Sequence, residues 1–214
     1  GLIEPRVEAL IRATGIDFRI GGNRAFYMPS LDYVQVPPPQ AYFEPINWHR
    51  TALHELGHAT GHPSRLNRDF SGSFGSKKYA FEELVAEINA AFCCASLGIT
   101  PTVRHADYIG SWLEVLREDN RAIVRAASAA SKAADFLLAF RPGAEADADV
   151  VEDGLREPAG DEDEVDVVAG RLEHLPPHRQ ARLGGRLGRL HNLGIRLVGQ
   201  LAIGNIIADG TRKR

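Results

Sequence analysis

Residues 54–58 read His54-Glu55-Leu56-Gly57-His58, an H-E-x-x-H pattern. On an α-helix, positions i and i+4 lie on one face a turn apart, so both imidazoles reach a single divalent cation. The glutamate between them is not a ligand in this arrangement. It stands beside the water that the cation polarises and takes its proton, the general-base role in metal-assisted peptide hydrolysis. Two histidines do not complete such a site. A catalytic zinc needs a third protein ligand and an open position for water.

One continuation of the pattern, H-E-x-x-H-x-x-G-x-x-H, fails here. Gly61 occupies its glycine position, but Ser64 stands where the last histidine would. Met28 is the only methionine and lies upstream, so no later methionine turn follows. The other route draws a carboxylate from a following helix. The run Phe81-Glu82-Glu83-Leu84-Val85-Ala86-Glu87 begins 23 residues after His58, on an apolar-striped segment. Glu83 and Glu87 share a face, whereas Glu82 points about 100° away from Glu83. Glu83 is the expected ligand. Glu87 is expected to accept a ring N–H from a ligand histidine and fix its tautomer, with Glu87 as ligand the alternative. Ala86 and Ala90 beside them are small enough to let the motif helix approach. His105 and Tyr79 are candidates for a hydrogen bond to the developing oxyanion. His62 reads as an ordinary exposed histidine, and Trp48 and Trp112 as core or groove residues.

The elements that must position these groups follow from periodicity and turn chemistry. Pro5 to Thr14 forms one short helix ending at Gly15. The runs Ile16–Ile20, Ala25–Met28 and Tyr33–Val36, separated by Gly21-Gly22-Asn23 and by Pro29-Ser30-Leu31-Asp32, predict a small antiparallel sheet. The motif helix takes Asn47 as its cap, Trp48 to Thr60 as its body, and Gly61 and Pro63 as its stop. Residues 64–76 read as a loop. Further helices are expected over Tyr79–Leu97, about Thr102–Arg117 and residues 120–140.

The chain has 214 residues, 44% hydrophobic and 25% charged, enough for one real core. No apolar run approaches the length of a membrane span, and Gly1-Leu2-Ile3-Glu4-Pro5 lacks the plan of a signal peptide. Cys93 and Cys94, the only cysteines, point about 100° apart on a helix and read as small buried hydrophobes in a reducing compartment. Net charge is −1 over residues 1–140, −9 over 141–170 and +7 over 171–214. The break near residue 141 predicts a domain at 1–140, an acidic disordered linker at 141–170 and a basic low-complexity tail at 171–214.

The run from Thr51 to Leu66 resembles the zincin-like metallopeptidase domain of ArdC-type plasmid antirestriction proteins, which are related to the C-terminal part of conjugative plasmid primases. The resemblance continues through Tyr79–Glu87, Leu97-Gly98-Ile99, His105-Ala106-Asp107-Tyr108 and Ala126–Asp135, covering roughly residues 15–140. It implies an α+β zincin-like lobe, with a small antiparallel sheet on the H-E-x-x-H helix. The family's Glu-x-x-Ala-acid pattern falls on Glu83 and Glu87. Family members act in the bacterial cytoplasm, protect incoming DNA from restriction, and usually carry an N-terminal single-stranded-DNA-binding domain. That domain has no counterpart in this chain, so DNA binding is not carried over.

Two functions compete. In the first, zinc held by His54, His58 and Glu83 serves hydrolysis of a peptide or protein substrate, with Glu55 as base. In the second, zinc merely pins two helices of a non-catalytic module that binds single-stranded DNA or a restriction enzyme. Arg65, Arg68, Lys77 and Lys78 are then the local basic patch available for DNA. Structural zinc sites are usually closed and thiolate-rich, which favours the first.

Overall fold

The computed structural model describes residues 1–119 and 121–143. The linker and tail expected beyond Gly143 lie outside the described residues. Helix α1 (Pro5–Thr14) leads into strands β1 (Asp17–Ile20), β2 (Phe26–Met28) and β3 (Tyr33–Val36). A 3-10 turn at Pro39–Ala41 precedes α2 (Asn47–Ala59), α3 (Lys77–Leu97), α4 (His105–Val115) and α5 (Ala122–Leu138).

The architecture is α+β as expected, but the sheet is mixed. Its order is β1-β3-β2, with β1 parallel and β2 antiparallel to β3. β3 takes the centre because it alternates half-buried and buried residues, with Val34 and Val36 facing the core. The glycine pair after β1 is therefore not a hairpin turn. It carries the chain across to the far side of β3, and Pro29–Asp32 then returns it antiparallel. Gly22 sits at φ +67°, a left-handed conformation that glycine adopts at this crossover without the strain of a side chain.

Helix α3 is the central post. Ser76 caps it by accepting from Tyr79 N–H at 3.2 Å, and Gly98 closes it in the left-handed region. Its apolar residues serve two cores. Ala90, Cys93, Cys94 and Leu97 pack with Ala52, Leu53 and Leu56 of α2, beneath Val34 and Val36. Leu84, Val85 and Ile88 pack with Ile109 of α4 and Ala126 and Ala130 of α5. A helix buried on so many sides loses the single apolar stripe of a surface helix. Trp48, fully buried, donates from its indole to Pro37 O at 2.8 Å and so ties α2 to the sheet side.

Asn47 is not the cap of α2. The helix already includes it, and its side chain bonds Thr102 Oγ1 at 2.7 Å and accepts from the Thr102 and Val103 amides. It fastens the start of α2 to the segment entering α4. Further along, α2 and α3 touch almost backbone to backbone. A Cβ added at Gly57 would lie 2.6 Å from Asn89 Nδ2 and 3.3 Å from the Ala86 Cα. Asn89 there donates to Leu53 O at 2.9 Å. We expect Gly57→Ala to cost roughly 1–3 kcal/mol in urea unfolding, because overpacking must push the helices apart. An unchanged unfolding midpoint would contradict so close an approach.

Candidate metal centre

The crossing of α2 and α3 brings His54, His58 and Glu83 together, each offering one ligand atom within 4.8 Å of the others. His54 Nε2 lies 3.1 Å from His58 Nε2 and 3.3 Å from Glu83 Oε2, while His58 Nε2 lies 3.4 Å from Glu83 Oε1. Ligand bonds of about 2.0–2.1 Å place neighbouring tetrahedral donors about 3.3–3.4 Å apart. The spacing therefore fits one small divalent cation.

The hydrogen bonds behind the rings strengthen that fit. His54 Nδ1 faces Glu87 Oε2 and His58 Nδ1 faces Glu82 Oε1, both at 3.1 Å. An ionised carboxylate only accepts, so each Nδ1 donates. In neutral rings this turns two bare Nε2 lone pairs towards each other and towards Glu83. Such a convergence is favourable only around positive charge. Glu83, rather than Glu87, thus stands on the Nε2 side of the histidines, and Glu87 stands behind His54.

Glu87 is fully buried and has four contacts. Arg50 donates to both its oxygens, at 3.0 and 2.7 Å, and His105 Nδ1 lies 2.7 Å from Oε1. His105, expected near an oxyanion, is instead engaged with Glu87, and its Nε2 is buried with no hydrogen-bond partner among the described residues. Tyr79 does line the cleft, beside Glu83. Its ring packs edge-on against Trp112, with centroids 5.7 Å apart. His62 sits in the turn after α2, where its Nδ1 accepts from Ser64.

Glu82 was not among the expected site residues. It is buried, accepts from Arg68 through both oxygens, and supports His58 as Glu87 supports His54. The four cations of the expected DNA patch are all engaged. Arg65 pairs with Asp32, Arg68 with Glu82, Lys77 with Glu118 and Lys78 with Asp69.

Glu55 lies 8% exposed on the cleft wall, with no ion pair to any described residue. The cleft has a volume of about 420 Å³. Phe26, Tyr27 and Phe70 line it together with Tyr79 and the acids Glu55, Asp69, Glu82 and Glu83.

The charges of the site support one another. Burial pulls the His58 imidazolium down, but bonds to Glu82 and Glu83 and the charge of Glu55 push it up to about 10. His54 is raised against burial by Glu83 and Glu87. Burial pushes Glu83 up, yet the two histidines hold it well below the ordinary carboxylate range. Glu87, despite burial, is held down to about 2 by His105, His54 and Arg50.

These shifts fix the pH response of chelator-stripped protein. The raised His58 contributes stability fully below its ordinary 6.5 and loses it as pH rises through about 10. The lowered Glu87 contributes above its ordinary 4.5 and loses it as pH falls through about 2. Melting temperature should therefore peak between 4.5 and 6.5 and fall on both sides. Thermal melts from about pH 2 to about pH 10 check it, and a steady rise with pH would contradict it.

A small sheet over an H-E-x-x-H helix, with an acid on a crossing helix completing a candidate metal triad, is a zincin-like arrangement. The family profile described as zincin-like metallopeptidase matches residues 5–129, and the chain belongs to that family. It is 45% identical over 142 residues to the protein y4eC of Sinorhizobium fredii, covering 65% of this chain and 46% of that one. It is 48% identical over 137 residues to the DNA primase TraC of Escherichia coli, covering 63% and 13%. The solved Mn(II)-bound antirestriction protein ArdC from plasmid R388 is similar with a TM-score of 0.56 at 43% identity, covering 64% of this chain and 52% of that one. The metal-free ArdC structure gives 0.54 at 42%, covering 64% and 51%. The chain thus spans about half the length of y4eC and ArdC and a small part of TraC. Among the described residues no helix is long and apolar enough to cross a membrane.

Proposed function

We propose that this chain is a divalent-metal peptidase that hydrolyses peptide bonds with a water molecule, in an antirestriction protein of a mobile element working in the bacterial cytoplasm. The observation that carries this reading is Glu55, without an ion pair to any described residue, on the same cleft wall as three converging ligand atoms. A purely structural ion would need the ligands but not the free carboxylate.

His54, His58 and Glu83 would hold the cation, which when bound supplies Lewis acidity that brings the pKa of water towards 7. Zinc suits the tetrahedral spacing, and the ArdC structure in its Mn(II) form supports a site that admits manganese as well. Glu55 accepts a proton from the attacking water and returns it to the leaving nitrogen, so that acid and amine products balance. Glu87 and Glu82 keep each histidine in the tautomer that presents Nε2. Tyr79, on the cleft wall, donates to the oxygen that gains charge; burial and the nearby Glu83 hold its phenol protonated.

The alternative, a non-catalytic module binding single-stranded DNA or a restriction enzyme, draws no support from the basic patch, whose four cations are paired. A random peptide library incubated with zinc- or manganese-loaded chain decides between them. New peptide termini that vanish on chelation are expected; an intact library at full metal occupancy would sink the peptidase reading.

A further inference from the structure

Each ligand histidine is backed by a glutamate, and each of those glutamates is gripped by an arginine through both oxygens. The two supports differ in origin. Arg50 belongs to α2 and is enclosed with Glu87 between helices. Arg68 comes from the loop between α2 and α3, and the residues after it, Asp69, Phe70 and Gly72, line the cleft.

The Arg68 guanidinium spans three partners. Nε and Nη2 donate to Glu82 at 2.9 and 2.8 Å, Nη2 also to Gly57 O at 2.6 Å, and Nη1 to Thr60 Oγ1 at 2.8 Å. One planar fork thus bridges α3 to the last turn of the ligand helix. Gly61 leaves room for it, since a Cβ there would lie 3.0 Å from Arg68 Cζ and 2.6 Å from Phe70 Cζ. An ammonium has no flat fork and cannot grip both Glu82 oxygens and the helix end together.

We propose that Arg68 is a positioning residue of the metal centre: from the loop whose next residues line the cleft, it fixes Glu82 against His58 Nδ1, and so aims His58 Nε2 at the cation. The inference rests on the metal-centre reading above. Without Arg68, Glu82 is a buried carboxylate whose only other side-chain bond among the described residues is to His58, free to turn away and take the ring with it.

A double-mutant cycle on the full chain tests this, with zinc affinity read by competition against a chromophoric chelator. Arg68→Ala should weaken zinc binding on the order of tenfold to a hundredfold, the usual effect of losing support behind a ligand. Glu82→Ala should do the same, and the double variant should be no weaker than Glu82→Ala alone, because Arg68 acts through that glutamate. Arg68→Lys keeps the charge and guards against misfolding; it too should bind zinc less tightly than wild type. Wild-type affinity in both Arg68 variants, or losses that simply add in the double variant, would overturn the role of Arg68 alone. A wild-type chain that takes up no zinc would overturn the metal-centre reading itself, and this inference with it.

Discussion

Glu55→Ala is expected to retain a full complement of metal and to lose about a thousandfold in peptide turnover, the usual worth of a positioned general base. Glu55 is no ligand, and it forms no ion pair with a described residue, so its removal strands no buried partner. Its charge does raise the proton affinity of both His54 and His58. Removing it lowers that proton affinity, while the bonds from Glu82, Glu83 and Glu87 that hold the rings in place remain. Metal analysis and cleavage rates on the same preparation check the prediction. Equal turnover by the variant would remove the general-base role.

Glu87→Ala should give the largest loss of stability, about 3–5 kcal/mol, because it leaves the Arg50 guanidinium buried without its counter-charge. The damage reaches further than one pair. Arg50 lies over the Tyr108 ring of α4, 4.0 Å from its centre, and His105 of the same helix loses its acceptor. Metal affinity should fall tenfold to a hundredfold as His54 loses its support. Glu87→Gln fares little better, since its NH₂ must meet donors from Arg50 and the two histidines. Urea unfolding of the stripped protein measures the effect; a loss below about 1 kcal/mol would contradict it.

Helix positions and the pairs His54–His58 and Glu83–Glu87 were legible because each depends on a spacing of three or four along one chain. Glu82 was missed because a helical wheel sets it 100° from Glu83. A count of donors would have found it. Two ligand histidines need two acceptors for their Nδ1 protons, and once Glu83 faces the Nε2 atoms only Glu82 and Glu87 remain on that helix. Arg50 and Arg68 had no such rule, since their roles arise from burial of carboxylates far off in sequence. The sheet went partly wrong for a similar reason. Strand boundaries are local, but the insertion of β3 between β1 and β2 is decided by which strand buries both its valines. Asn47 carried a cap signal that tertiary bonding to Thr102 and Val103 overrode.

The near-contact of Gly57 with Ala86, and the Asn89 bond to Leu53 O, join the two ligand-bearing helices with no help from an ion. That joint sets how His54 and His58 on one helix meet Glu83 on the other, so the spacing of the triad is a property of the helix pair itself.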